Sequence, residues 1–213
     1  PAGSLLVEIQ PFVVVTTKDI ILLDAGLGFS INGTLQLHSN LQAAGITPDQ
    51  ITKVILSHLH KDHIGGIVLN TEQGFQPAFP NATYYVQAAE LEHALSQPGA
   101  SYTAPLVSWL SSYPKTKILA GSEFIDTYIE CQLTSGHSRY HQAIWIREKE
   151  SILFYGGDEA PQLQQMRHRF VAKYDFDGKR AMELRQQWWK KGEQENWTFL
   201  FYHDVKHPTF SFS

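Results

Sequence analysis

The sequence predicts an α+β fold, a layered sandwich of short strands with a few interleaved helices. Short runs of apolar and β-branched residues recur between polar or glycine-containing turns, which is the pattern of strands. Fewer segments have the spacing of an amphipathic helix. The chain has no internal repeat with a period of about 20–50 residues, so a solenoid or a propeller is excluded.

The first half of the chain predicts a β-hairpin, a helix, a buried strand and then a region of longer connections. Polar Thr16–Asp19 separates the two hairpin strands, and Gly45 is suited to end the helix. Thr71–Ser122 mixes Pro, Gly and Ser with shorter elements, as segments that shape a substrate site often do. The predicted strands are Leu5–Val15, Ile20–Leu23, Val54–Ser57 and Thr83–Val86, and the predicted helices are Leu35–Ala44, Ala88–Leu95 and Leu106–Ser111.

The second half predicts four strands and one helix, and three of the strands lead into a polar residue. Gly136-His137 follows the first strand, Gly157-Asp158 follows the third, and the last runs into His203. The helix has Ala181, Leu184 and Trp188 on one stripe. The predicted strands are Tyr128–Leu133, Ala143–Ile146, Ile152–Tyr155 and Phe199–His203, and the helix is Lys179–Lys191.

Length and composition predict one globular domain covering residues 1–213. The 17 basic and 21 acidic residues give a formal charge of −4, so we expect no nucleic-acid partner. Cys131 is the only cysteine, which excludes an internal disulfide. No apolar run reaches the ~20 residues of a membrane span and no signal peptide is visible, so we expect a cytoplasmic protein without membrane contact, although the chain begins at Pro1 and not at Met.

Three imidazoles and a carboxylate lie within six residues in His58-Leu59-His60-Lys61-Asp62-His63. In an extended segment residues two apart point to the same side, so His58 and His60 can bind one metal ion. Asp62 and His63 are adjacent and should diverge, which suits a second ion. The alternative is a surface turn with a solvated Lys61-Asp62 pair, but the density of imidazoles favours a site for zinc, iron or a similar transition metal.

With four other motifs, this stretch resembles the metallo-β-lactamase superfamily. The motifs are, in order, Asp24-Ala25-Gly26, the histidine stretch, Gly136-His137, Gly157-Asp158 and Tyr202-His203. The resemblance covers nearly the whole chain and implies a four-layer αβ/βα sandwich with metals at one edge, between two β-sheets. It implies that the first metal is held by His58, His60 and His137, the second by Asp62, His63 and His203, and both by Asp158. Asp24 would support a ligand without binding metal itself.

The resemblance implies a dinuclear hydrolase that uses two zinc ions, with iron or manganese as alternatives. Because a metal lowers the pKa of bound water to about 7, a metal-bridging hydroxide can attack an ester, lactone or thioester carbonyl of a small molecule at neutral pH. Asp62 and Asp158 are the candidate catalytic residues for proton transfer.

Within the superfamily, the chain is most similar to the N-acyl homoserine lactonases. The similarity lies in Ser57-His58-Leu59-His60, in Gly136-His137-Ser138 followed by Gln142, and in Tyr202-His203-Asp204. Those lactonases place a substrate-contacting tyrosine three residues after the bridging aspartate, where this chain has Pro161. Tyr140 and Tyr155 are candidates to replace it.

Other branches remain as alternatives. A glyoxalase-II-like thioesterase would need a cationic pocket for glutathione, which the sequence does not identify. A mononuclear iron dioxygenase acting on persulfides uses part of the same ligand set, whereas His60 disfavours a diiron flavoprotein, which commonly has glutamate there. A non-catalytic metal-binding scaffold is disfavoured because all seven ligand positions carry competent residues.

The remaining polar and aromatic residues have weaker signals. His141 follows a turn whose second glycine is replaced by Tyr140, so we expect it to support the site and not to bind metal. Cys131 is expected to be a small buried strand residue and Asp204 a turn residue. Surface or core roles are expected for His38, His93, His168 and His207, and core or pocket-lining roles for Tyr102, Trp109, Phe170 and Tyr174.

Overall fold

The computed structural model describes residues 6–97, 99 and 101–212, which form two compact units. The first unit comprises residues 11–120, and the second comprises residues 6–10 and 121–212 of the described chain. Each unit has its own β-sheet with helices, as expected for an α+β protein. The single domain covering residues 1–213 stays a prediction. None of the helices in the described ranges is long and apolar enough to cross a membrane.

The first unit contains a five-stranded sheet with the order β1-β2-β5-β8-β9. Strands β1 and β2 pair antiparallel as a hairpin, and the other neighbours pair parallel. Strand β5 carries buried Val54 and Ile55 and leads directly toward the histidine stretch. The elements of this unit are β1 Phe12–Val15, β2 Ile20–Leu23, β3 Ser30–Ile31, β4 Thr34–Leu35, α1 Gln36–Ala43, β5 Lys53–Ile55, α2 Lys61–Ile64, β6 Val68–Thr71, β7 Gly74–Pro77, β8 Thr83–Gln87, α3 Ala88–Ser96, α4 Ala104–Ser112 and β9 Thr116–Leu119.

The second unit contains a six-stranded sheet with the order β10 to β15, antiparallel except for the parallel pair β13 and β14. Its core is aromatic, with Trp145, Phe154 and Trp197 buried together. Helix α6 begins after Asp177, whose carboxylate accepts a hydrogen bond from Arg180 N at 3.0 Å. The elements are β10 Glu123–Ile125, β11 Ile129–Leu133, β12 Gln142–Glu148, β13 Ser151–Tyr155, α5 Leu163–Arg167, α6 Gly178–Glu195, β14 Thr198–Leu200 and β15 Thr209–Ser211.

Most predicted elements are confirmed within a few residues, and the largest error is at the N-terminus. The first strand was expected from Leu5, but it begins at Phe12, and Leu5 lies outside the described residues. The Gln10 side chain instead donates hydrogen bonds to the carbonyls of Phe201 and Asp204 at 2.7 and 2.8 Å. The segment before β1 therefore belongs to the second unit, because its polar groups pair there.

Candidate metal centre

The N-terminal cluster (His58, His60, Asp62 and His63) lies in the first unit, immediately after β5 and on α2. The ring of His58 lies 4.4 Å from that of His60 and 4.2 Å from that of His63, measured between centroids. His58 and His63 are buried, whereas His60 and Asp62 are half-buried. His58 and His60 therefore lie together, as the spacing predicts, and His63 lies just as close to His58.

The prediction that the side chains of Asp62 and His63 diverge is wrong. The chain is extended only as far as His60, and helix α2 begins at Lys61. In this helical turn Asp62 Oδ2 lies 3.8 Å from His63 Nε2, so the two donor groups face the same region. The assignment of both residues to one ion is still compatible with this geometry, because the helical turn brings their donor groups together.

Asp24 and Ser57 orient two of the imidazoles. The Asp24 carboxylate accepts hydrogen bonds from Ser57 N at 2.7 Å, from Ser57 Oγ at 2.6 Å and from His63 Nδ1 at 2.7 Å. Because the Ser57 hydroxyl donates its only proton to Asp24, its contact with His58 Nδ1 at 3.0 Å requires His58 to be the donor. His58 and His63 therefore carry their protons on Nδ1, which leaves a lone pair on each Nε2 for a metal. Asp24 thus contacts the site as the supporting role requires.

The loop that carries Asp24 is locked against α2 by close backbone contacts. Asp24 itself has a left-handed backbone with φ of 55°, and Ala25 N donates to His63 O at 2.7 Å. A Cβ atom on Gly65 would lie 2.1 Å from the Leu27 carbonyl, and one on Gly28 would lie 2.3 Å from Gly65 O. Glycine is required at both positions because two main chains meet there.

The C-terminal cluster (His137, Asp158 and His203) lies in the second unit, on the connections that follow β11, β13 and β14. Asp158 Oδ2 lies 3.3 Å from His137 Nε2, and Asp158 Oδ1 lies 3.1 Å from His203 Nε2. Each oxygen of one carboxylate therefore faces a different imidazole. A carboxylate in this arrangement can bind two metal ions, one through each oxygen.

The two imidazoles of this cluster are also held through Nδ1. His137 Nδ1 donates to Asp175 Oδ1 at 2.9 Å, and His203 Nδ1 donates to the carbonyl of Glu8 at 2.5 Å. Burial lowers the pKa of His137, but Asp158 and Asp175 outweigh burial and raise it above its ordinary value. In both histidines Nδ1 is held by an oxygen, and Nε2 is directed at Asp158. The sequence carried no signal for Asp175 or Glu8, since neither belongs to a motif.

The structure also locates the other candidates from the sequence. His141 is buried, and its Nε2 accepts a hydrogen bond from Asp158 N at 3.2 Å, so it supports the cluster through the main chain. Asp204 accepts hydrogen bonds from Leu163 N, Lys206 N and His207 N at 2.9 Å each. The last two agree with the predicted turn, but Asp204 is buried and also holds Leu163, which is 41 residues away, so its role is not limited to the turn. These bonds lower the pKa of Asp204 although partial burial raises it.

Cys131 and the candidate tyrosines differ in burial. Cys131 is fully buried in β11, and burial raises the pKa of its thiol, in agreement with its predicted structural role. Tyr155 is buried in β13, and Tyr140 is half-buried. Tyr174 is 61% exposed, and its ring centroid lies 5.9 Å from that of His137. Tyr174 is thus a tyrosine that lies beside a candidate ligand and also faces solvent.

The donor atoms in both clusters suit a first-row transition metal. Each cluster presents imidazole nitrogens and carboxylate oxygens, which are ligands of zinc and also of iron and manganese. The hydrogen bonds at Nδ1 supply the outer support that metal-binding histidines usually have. The residues therefore fit a metal site.

A family model described as Metallo-beta-lactamase superfamily matches residues 8–170. An N-acyl homoserine lactonase from Bacillus thuringiensis is 26% identical over 166 residues, which cover 78% of this chain and 61% of that protein. The chain spans 40 to 61% of the length of the curated relatives that it matches first.

Solved structures have the same fold. A probable metal-dependent hydrolase from Staphylococcus aureus superposes with a TM-score of 0.84 at 21% identity, over 97% of this chain and 78% of that one. AidC, described as a dizinc quorum-quenching lactonase in complex with a product, superposes with a TM-score of 0.77 at 24% identity, over 95% of this chain and 74% of that one. The predicted metallo-β-lactamase fold is confirmed.

Proposed function

Because the chain belongs to the metallo-β-lactamase superfamily, we propose that it is a dinuclear metal-dependent hydrolase acting on an ester, lactone or thioester carbonyl of a small molecule. The observation that carries the proposal is a shared orientation of four imidazoles. Each is held by a hydrogen bond at Nδ1, so Nε2 is the nitrogen through which each would bind a metal. These imidazoles are His58, His63, His137 and His203. A surface cluster of histidines would not need this support.

The proposed ligands are those implied by the superfamily motifs. The first metal would take His58, His60 and His137, the second would take Asp62, His63 and His203, and Asp158 would bind both. The two oxygens of Asp158, each directed at a different imidazole, support the bridging role. We propose zinc at both positions, in line with the dizinc description of AidC, while the donor set also suits iron or manganese.

Bound metals would supply Lewis acidity, which acidifies water and polarises the attacked carbonyl. The chain's own carboxylates would then move protons. The Asp62 side chain is 28% exposed and can exchange a proton with solvent, whereas that of Asp158 is 12% exposed and lies between two imidazoles. We assign Asp62 and Asp158 as the candidate catalytic residues on this basis.

A lactone is the substrate class that the relatives favour, since the curated relatives are N-acyl homoserine lactonases. Pro161 stands where those enzymes have a substrate-contacting tyrosine. Tyr174 is our candidate to take over that contact, because its ring packs on His137 while most of its side chain remains exposed. Tyr155 is unsuitable because it is buried in the sheet.

The test measures metal content by plasma mass spectrometry on protein purified without added metal. The same sample is assayed for turnover of a small lactone, a thioester and a bis-aryl phosphodiester. We expect close to two equivalents of zinc or iron and turnover of the lactone. A single iron would direct the search to persulfide oxidation. No metal, with none recovered after addition, would refute the proposal.

A further inference from the structure

A buried polar cluster contacts the main chain beside His137 and at Asp158, and it takes no part in the proposed chemistry. Its members are Thr134, His141 and Glu159, and each side chain is at most 1% exposed. They come from the end of β11, from the residue before β12 and from the turn that contains Asp158. Polar side chains enclosed in this way need hydrogen-bond partners inside the protein, because burial without them costs free energy.

The hydrogen bonds of this cluster have a definite direction. Asp158 N–H donates to His141 Nε2 at 3.2 Å, so in neutral His141 the proton is on Nδ1. That Nδ1 lies 3.1 Å from Thr134 Oγ1 and donates to it. The Thr134 hydroxyl lies 2.6 Å from Glu159 Oε1 and donates to the carboxylate. The main chain at Asp158 is thereby linked to Glu159 through two side chains.

Glu159 also holds the main chain at the other ligand of this unit. Glu159 Oε1 accepts Gly136 N–H at 2.6 Å, and the His137 N–H also donates to the carboxylate. Space around the carboxylate is limited, since a Cβ on Gly136 would lie 2.3 Å from Glu159 Oε2. One carboxylate therefore fixes the turn that presents His137.

Arg185, on α6, holds the main chain of Glu159 by a hydrogen bond. Arg185 is 1% exposed, and its Nη1 donates to Glu159 O at 2.7 Å. Its Nη2 donates to Phe170 O at 2.5 Å. The positive charge of Arg185 partly balances the negative charge of the buried Glu159 carboxylate. Glu159 is thus held at both its main chain and its side chain.

We propose that Glu159 is a positioning residue for the metal site, which acts through Gly136 on His137 and through Thr134 and His141 on Asp158. This inference rests on the proposed metal centre. Removal of the carboxylate would leave the Gly136 and His137 N–H groups without their acceptor, and the Thr134 hydroxyl would keep only the carbonyl of His141, at 2.9 Å. Both ligands would then lose their fixed orientation. Loss of such outer support typically lowers metal affinity by about 10–100-fold.

The experiment compares zinc affinity in wild type, Glu159→Ala, Glu159→Gln and Thr134→Val by competition with a chromophoric chelator. We expect Glu159→Ala to weaken zinc binding by about 10–100-fold. Glu159→Gln keeps an acceptor oxygen for Gly136 and should restore part of the affinity. Thr134→Val removes the hydroxyl that contacts both Glu159 and His141, so it should break the link to Asp158 and leave the bond between Glu159 and Gly136 in place. Cobalt absorption spectra of the same variants report the ligand geometry. If Glu159→Ala does not fold, the zinc affinities of Glu159→Gln and Thr134→Val still test the proposal.

A matched control separates positioning from general stability. Ile129→Ala opens a cavity at a buried position of β11, which pairs with Ile125 and Ile146 away from the cluster. It should lower the melting temperature of the metal-free protein but keep the wild-type zinc affinity. The positioning role is overturned if folded Glu159 variants bind zinc like wild type. If wild type itself binds neither zinc nor iron nor manganese, the proposed function fails first and the inference fails with it.

Discussion

The Asp24 carboxylate accepts a hydrogen bond from His63 Nδ1 at 2.7 Å, and both side chains are fully buried. Asp24 also holds the main chain and the hydroxyl of Ser57, whose hydroxyl in turn orients His58. One carboxylate from the loop after β2 thus orients two candidate ligands from the segment after β5.

Asp24→Ala should lower zinc affinity by about 10–100-fold, because His58 and His63 lose their orientation together. Chelator competition measures the change. Asp49→Ala, at an exposed position, is the control and should bind zinc as wild type does. Unchanged affinity in Asp24→Ala would show that the two imidazoles hold their orientation without it.

Asp158→Ala should abolish turnover and weaken metal retention, because it removes the carboxylate that faces both His137 and His203. Turnover of the most reactive substrate and metal content after dialysis are the measurements. Glu150→Ala, in the exposed turn between β12 and β13, provides the control. Full activity in Asp158→Ala would contradict the ligand assignment.

Tyr174→Phe should lower kcat/KM for a lactone by roughly 2–10-fold, the effect of losing a hydrogen bond to an uncharged group. Zinc affinity should stay the same, because the ring that packs on His137 remains. Tyr140→Phe tests the other candidate tyrosine, which is half-buried, and should keep the wild-type kcat/KM if Tyr174 makes the contact. Equal kinetics in wild type and Tyr174→Phe would exclude Tyr174 as the replacement for the missing tyrosine.

Gly65→Ala should destabilise the protein by about 1–3 kcal/mol or more, since the added Cβ would lie 2.1 Å from the Leu27 carbonyl and main chains cannot move apart easily. Chemical denaturation measures the free energy of unfolding. At Gly99 the nearest atom to an added Cβ lies 3.8 Å away, so Gly99→Ala should be near neutral. Similar stabilities of the two variants would contradict the close contact between the Asp24 loop and α2.

The stability of the first unit should depend on pH through His38. Burial lowers the pKa of His38 from its ordinary value of 6.5, although a hydrogen bond with the Ala78 main chain opposes this. Because the unfolded chain binds the proton more readily, the stabilising contribution of neutral His38 is present above pH 6.5 and is lost as pH falls from 6.5 toward the lower folded pKa.

Melting temperatures measured from pH 7.5 down to pH 5 check this prediction. His38→Gln should reduce the loss of stability over that range, and the exposed neighbour change Ser39→Ala should leave it as in wild type. If the melting temperature of His38→Gln falls between pH 7.5 and pH 5 as much as that of wild type, His38 is not a source of the pH dependence of stability.

The local pattern of the sequence was sufficient for most strands and for the candidate ligands. Short apolar runs joined by polar turns predicted β11, β12 and β13, because such a run and its flanking turns are local features of the chain. The same logic failed at Asp62 and His63, since four residues of helix leave almost no periodic signal. The short strands β9 and β10 were missed for a similar reason.

The sequence by itself determined which residues can bind metal, because imidazole and carboxylate chemistry belongs to the side chain and their spacing in His58–His63 is local. Only the tertiary structure decided how those groups are oriented. Asp24 lies 39 residues from His63, Asp175 lies 38 residues from His137, and Glu8 lies 195 residues from His203. Such partners meet because the strands and helices pack, and packing of distant segments leaves no periodic signal in the chain.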